Sequence, residues 1–167
     1  MGVGADPLVS APVSSALVFE PMVAADLPEV MELERLVFPN PWTPGLFLHE
    51  LKLSFSRVYL ARSSNGTRRP LGYVCRWVVG DEVHILNLAV HPDGRRAGTG
   101  RALVQRILDD AVALGAVSIS LEVGRRNAAA AALYRAMGFS ETGLRRNYYG
   151  EGEDAVIMER RLAQSGQ

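Results

Sequence analysis

Gly94, Gly98 and Gly100 cluster around Arg95 and Arg96 in the stretch HPDGRRAGTGRALVQRILDDAVALG, residues 91–115. The apolar run VHILNLAV before it has the character of a strand, and the amphipathic pattern after it that of a helix. A helix N-terminus carries several backbone N–H groups with no partner inside the helix, and it favours negative charge. Glycines let a ligand come close to that backbone. The chemistry signalled by these residues is the binding of a phosphate-bearing molecule.

The elements that must hold this loop can be placed from periodicity and punctuation. A first strand is expected over residues 17–22. A helix capped by Asp26 follows, with Pro28 in its first turn and Leu27, Val30, Leu33, Leu36 and Val37 in helical spacing. The segment FPNPW, residues 38–42, must break it. Thr43-Pro44 starts a second helix reaching about Leu53. Strands are expected near 57–62 and 71–79, split by SSNGTRRP, and then over 83–90. The helix over residues 98–114 puts Leu103, Ile107 and Ala111 on one face with Val104, Leu108 and Val112 beside them, and Gly115 stops it. A strand over 118–123, an alanine-rich helix over 127–137 ended by Gly138, and strands near 139–146 and 154–161 joined by the loop NYYGEGE complete the order. This is an α/β (α+β) pattern, a mixed sheet of about seven strands packed by about four helices.

Two common phosphate loops can be set aside. A P-loop needs Gly-Lys before Ser or Thr, and Gly100 is followed by Arg101. A dinucleotide loop needs a third glycine three residues on, and the next glycine is Gly115. The pattern [R/Q]-x-x-G-x-[G/A] does fit, as Arg95-Arg96-Ala97-Gly98-Thr99-Gly100. It resembles the pyrophosphate loop of the GCN5-related N-acetyltransferases (GNAT), which bind acetyl-coenzyme A.

Composition narrows the classes further. The 167 residues suit one domain, and Lys+Arg balances Asp+Glu at 18 each, so no overall positive field exists to gather nucleic acid or an anionic membrane. Cys75, alone in LGYVCRWVV, reads as a small buried apolar side chain. His49, His84 and His91 are scattered without metal-ligand spacing, so no metal is expected. No apolar run has the length of a membrane span. Residues 1–16 lack the basic start and apolar core of a signal peptide, and Asp6 fails the myristoylation pattern. They are expected to be a flexible lead-in, residues 17–162 one acetyltransferase domain, residues 163–167 a frayed tail, and the location cytoplasmic.

A second motif lies downstream. LEVGRRNAAAAALYRAMGF, residues 121–139, resembles the L-E-V-R-x-x-N-x-x-A-x-x-L-Y-x-x-x-G-F signature of the RimI family of ribosomal-protein-alanine N-acetyltransferases, with Glu122, Asn127, Ala131, Leu133, Tyr134, Gly138 and Phe139 in register. Arg146-Asn147-Tyr148-Tyr149 echoes that family's R-N-Y-Y. Gly124 stands where the family usually has Arg, a departure that touches one peripheral charge contact and not the fold. The element order matches the GNAT layout over residues 17–162.

The resemblance implies an enzyme that uses acetyl-CoA. An amine attacks the thioester carbonyl, a base removes a proton, a donor steadies the oxyanion, and the leaving thiolate gains from a proton. By resemblance, Glu122 is the general base, through a water, and Tyr134 the general acid. Leu88, Ala89 and Val90 present their backbone to the pantetheine arm, with the Leu88 N–H as oxyanion donor. Asn127 either contacts the cofactor or caps its helix.

The acceptor implied is the α-amine of a protein N-terminus, the N-terminal alanine of a small-subunit ribosomal protein. Such an amine titrates near ~7.7–8.0 against ~10.4 for lysine, so a modest base suffices. Phe38-Pro39 and Tyr148-Tyr149 would grip the peptide from the loops at residues 38–42 and 147–153. A monomer or weak homodimer, with neither nucleic-acid nor membrane contact, is expected. Two other readings remain: an acetyltransferase for a small-molecule amine, and a CoA-binding module without turnover. An amine panel separates the first. Cofactor binding without transfer would mark the second.

Overall fold

The computed structural model describes residues 17–64, 69–95 and 97–164. The expected lead-in at residues 1–16, Arg96, and residues 165–167 of the expected tail lie outside the described residues. The strands are β1 (Leu17–Pro21), β2 (Ser56–Ser63), β3 (Pro70–Val79), β4 (Glu82–Val90), β5 (Ser118–Gly124), β6 (Ser140–Gly150) and β7 (Glu153–Arg161). The helices are α1 (Leu27–Val37), α2 (Pro44–Lys52), α3 (Thr99–Ala113) and α4 (Ala128–Ala136). One seven-stranded sheet runs in the order β1-β2-β3-β4-β5-β7-β6. It is mixed: β1/β2, β5/β7 and β6/β7 are antiparallel, while β4/β5 is parallel. A parallel pair needs a long crossover, and here the chain supplies α3. The mixed α/β fold class read from the sequence is the one observed.

The chain divides into two compact units. The first comprises Met1–Cys75 with Asn87–Val104. Its core gathers Met22, Val30, Met31, Leu33, Phe47, Val58, Leu60, Tyr73, Cys75 and Ala89, all nearly inaccessible. Phe47 meets the Tyr73 ring edge-on at 5.5 Å between centroids and tilts against Trp42 at 5.2 Å. Cys75 is buried, as its surroundings in the sequence suggested.

Two local expectations in this unit are corrected. Asp26 does not cap α1 with its side chain. A short 3-10 turn, Ala24–Asp26, precedes the helix, and the Asp26 carboxylate instead accepts from the Val23 N–H at 2.9 Å and from Arg62 at 3.0 Å. Leu36 is exposed, and Glu34, one turn after Val30, takes the buried position. Thr43 caps α2 as expected, its hydroxyl accepting from the Leu46 N–H at 3.1 Å.

The second unit comprises Arg76–Leu86 with Gln105–Gln167. Ile107, Leu108 and Ala111 of α3 are buried, as are Val83, Ile85, Ile119, Leu121, Val123, Met137, Phe139 and Met158. Val112, expected beside that apolar face, is 67% exposed. Both helix stops are glycines with left-handed backbone, Gly115 at φ +72° and Gly138 at φ +92°. At each, two main-chain bonds fold back over the last turn, Ala116 N–H to Ala111 O and Gly115 N–H to Val112 O, then Phe139 N–H to Tyr134 O and Gly138 N–H to Arg135 O. The loop expected over residues 147–153 is mostly strand. β6 runs to Gly150 and β7 starts at Glu153, with the register shifting between Arg145 and Gly150. Asn147, at φ +55°, absorbs the irregularity. Its N–H donates to Asp154 at 2.9 Å and its side-chain oxygen accepts from the Gly152 N–H at 2.8 Å.

Candidate active site

In the first unit the glycine loop leaves β4 through a 3-10 turn, Pro92–Gly94, capped by the buried His91, whose Nδ1 accepts from the Asp93 N–H at 3.0 Å. Gly94 is glycine for space. A Cβ there would come within 3.3 Å of the Leu71 carbonyl and 3.2 Å of the Thr99 hydroxyl. Gly98 is glycine for conformation, at φ +83° with open space where a Cβ would be. Among the described residues, the helical ladder of α3 begins with the Ala102 N–H donating to Gly98 O at 2.9 Å. The N–H groups of Thr99, Gly100 and Arg101 precede it. The side chain of Thr99 is buried and its hydroxyl has no partner among the described residues, while Arg95 and Gly98 are exposed and Ala97 and Gly100 half-buried.

β4 brings Leu88, Ala89 and Val90 up to this turn. Ala89 is buried, Leu88 and Val90 half-buried. The main chain of β3 comes so close that a Cβ on Gly72 would stand 2.6 Å from the Ala89 carbonyl. The Leu88 N–H is engaged by the side chain before it, donating to Asn87 Oδ1 at 3.2 Å. Asn87 Nδ2 donates to the Tyr73 hydroxyl at 2.6 Å. The Tyr73 hydroxyl donates in turn to Glu34 Oε1, and Glu34 Oε2 accepts from the Trp42 N–H at 2.9 Å. Burial pushes Glu34 above the usual carboxylate range, against the pull of its Tyr73 and Trp42 donors. Tyr73 is pushed well above the ordinary phenol, by burial first and by the Glu34 charge second.

Sequence reading missed this cluster. Its signals were present: a Glu on the apolar stripe of α1, a Tyr inside LGYVC, and an Asn inside ILNLAV. Of the loop residues, Phe38 and Trp42 pack partly buried on the core, and Pro39 is exposed.

In the second unit Glu122 lies near the end of β5 with its side chain 27% exposed, and its Oε1 is 3.6 Å from Arg145 Nε. The Arg145 guanidinium also sits over the Tyr148 ring, 5.2 Å from its centre. Tyr148 and Tyr149 meet edge to face at 4.9 Å, both half exposed. The Tyr149 hydroxyl donates to the Glu122 carbonyl at 3.4 Å. Tyr149 is pushed up to about 12, by burial first and then by Tyr148 and Glu122. Tyr134 is buried on α4, edge to face with Phe139 at 5.8 Å. Burial, with a smaller contribution from Tyr149, pushes Tyr134 up to about 12. Asn127 caps α4, its Oδ1 accepting from the Ala130 N–H at 3.1 Å. No cluster of potential metal ligands occurs among the described residues.

The acetyltransferase (GNAT) family model matches residues 27–139, from the start of α1 through the Gly138-Phe139 stop of α4. The chain belongs to the GNAT acetyltransferase family. Within that family it is similar to the ribosomal protein bS18-alanine N-acetyltransferase of Salmonella typhimurium, at 38% identity over 80% of this chain and 89% of that protein. It is 37% identical to the N-alpha-acetyltransferase RimI of Mycobacterium tuberculosis, over 83% of this chain and 89% of that protein. The crystal structure of the Escherichia coli ribosomal-protein-S18-alanine N-acetyltransferase superposes with a TM-score of 0.81 at 32% identity, covering 90% of this chain and 97% of that one. The GNAT chain described here is thus an acetyl-CoA-dependent N-acetyltransferase whose relatives are of the RimI type.

The residues present suit the co-substrate of the GNAT family. The turn at Gly98 is glycine by conformation, opens to space, and leads into N–H groups ahead of the helical ladder, which is what a diphosphate requires.

Proposed function

We propose that this chain moves the acetyl group of acetyl-CoA to the α-amine of an N-terminal alanine, that of ribosomal protein bS18 in particular. The observation that carries the acceptor is the 38% identity, spread over 89% of its length, to a protein named for that activity. Acetyl-CoA supplies an activated thioester, and the chain supplies the groups around it. The diphosphate would lie on the main chain of Gly98, Thr99 and Gly100 with Arg95 and Arg96 beside it, and Leu88, Ala89 and Val90 would flank the pantetheine arm, with Asn127 as a further contact.

Glu122 is the general base in this reading, taking the proton from the amine through a water. An α-amine needs little help, since roughly a tenth or more of it is already neutral at pH 7. Tyr134, raised to about 12, stays a protonated phenol throughout the neutral range and so remains a donor for the departing sulfur. The Leu88 N–H is the donor to the reacting carbonyl, which requires it to share or leave its 3.2 Å bond to Asn87. For the acceptor peptide this reading assigns Phe38 and Pro39 in the first unit and, taken by themselves, Tyr148 and Tyr149 in the second.

Purified protein and labelled acetyl-CoA, offered intact bS18, an N-terminally blocked bS18 and a panel of lysine peptides and small amines, test the assignment. Label should enter the free N-terminus alone. Preferred labelling of lysine side chains or of a small amine would overturn the acceptor.

A further inference from the structure

We propose that Glu34, Tyr73 and Asn87 form a positioning relay that sets the direction of the Leu88 main-chain N–H and ties it to the main chain of Trp42 in the acceptor loop. The inference rests on the reading above for the tasks of Leu88 and of residues 38–42. The relay itself lies wholly within the first unit, and none of its three side chains has a part in the chemistry assigned to Glu122 and Tyr134.

Every donor in the chain points toward one carboxylate. Leu88 donates to Asn87, Asn87 to Tyr73, Tyr73 to Glu34, and Trp42 to the other oxygen of Glu34. Tyr73 has a single hydroxyl proton and uses it on Glu34, so toward Asn87 it can only accept. That forces the Asn87 amide to turn its NH₂ to Tyr73 and its oxygen to Leu88. A reversed amide would set two acceptors against each other. The orientation at β4 is therefore dictated from α1, three hydrogen bonds away.

Packing alone does not explain the arrangement. Glu34 is 1% exposed, and Tyr73 is fully buried in the core cluster that also holds Val30, Leu33 and Phe47. A carboxylate in such a place is costly unless each of its partners is satisfied, and an apolar side chain would fill the same space without that cost. The link to Leu88, at 3.2 Å, is long for an N–H to oxygen bond. The N–H is held in direction yet available to a closer carbonyl.

Amide hydrogen exchange on ¹⁵N-labelled protein, with steady-state kinetics beside it, tests the relay. In Tyr73→Phe and in Asn87→Ala the Leu88 amide should exchange about tenfold faster, with Ile119 in the second unit unchanged. The same variants should lose roughly five- to tenfold in kcat with the KM for acetyl-CoA within about twofold. Val74→Ala, a neighbour in β3 outside the relay, should lower Tm and leave kcat as it is. A Leu88 amide as protected in Tyr73→Phe as in the parent, or a Val74→Ala loss in kcat matching that of Tyr73→Phe, overturns the relay. The exchange result decides the relay even where the parent protein transfers nothing to peptide α-amines, an outcome that removes the acceptor assignment alone.

Discussion

The two units handle charge near their candidate functional groups in opposite ways. In the first, Glu34 is buried, every described partner is fixed by a hydrogen bond, and its carboxyl is raised by desolvation. In the second, Glu122 shares its carboxylate with Arg145, whose side chain is 53% exposed, at 3.6 Å, a distance for an ion pair in water rather than a tight bond. A buried, fully partnered group is a strut, costly to form and costly to break. A half-exposed pair is cheap to rearrange, which suits the general-base role proposed for Glu122.

The sharpest way to separate the two is by what each loses. Glu122→Gln and Tyr134→Phe should each slow acetyl transfer by ~10²–10⁴-fold while acetyl-CoA binding by calorimetry and the melting temperature stay near those of the parent. Glu34→Ala should do the reverse in stability, costing roughly 2–4 kcal/mol in urea unfolding because the buried Tyr73 hydroxyl and the part-buried Trp42 N–H lose their acceptor. Gly98→Ala falls between them. The left-handed φ of +83° makes any side chain cost about 1–2 kcal/mol there, and acetyl-CoA binding should weaken as the turn reshapes. Unfolding and calorimetry on the same sample check both.

A pH series sharpens the contrast. Glu34 has its carboxyl raised in the folded state, so between its unfolded value, near ~4.3, and its higher native value the native protein binds more protons than the unfolded chain. The favourable contribution is present below that window and is lost as pH rises through it. Unfolding of the parent and of Glu34→Gln from pH 4 to pH 8 should show the parent losing ground to the variant with rising pH. A constant difference would mean that Glu34 keeps an ordinary titration. The smallest effect belongs to Arg145→Ala, with stability changed by less than about 1 kcal/mol, since its pair is exposed and screened.

The outline of the fold was legible because punctuation and periodicity are local. Pro44 after Thr43, Gly115 and Gly138 each mark an element end at the position seen. Local signals failed where a side chain had a distant partner. Asp26 looks like a helix cap but is drawn to Arg62, which also pairs with Glu20 and Glu29. The segment after Arg146 looks like a loop, but Asn147 takes a left-handed conformation, with Asp154 accepting from its N–H, and lets the strand continue. The same limit applies to the candidate site. The glycine turn stood out by its own residues and the Glu122-Tyr134 motif by its resemblance to a family signature, while nothing local set Glu34 apart from any other charged residue of α1.

The sequence by itself determined the element order, the glycine loop after β4 and the family resemblance, because each depends on neighbours a few positions apart. Only the tertiary structure decided that Glu34, Tyr73, Asn87 and Leu88 stand in one line, and that Arg145 rests between Glu122 and Tyr148. Hydrogen bonds and ion pairs join residues by distance in space. The hydrogen-bond partners of Glu34 come from β3 and a loop, Tyr73 lying 39 positions along the chain, and no pattern of residues announces which of them will meet.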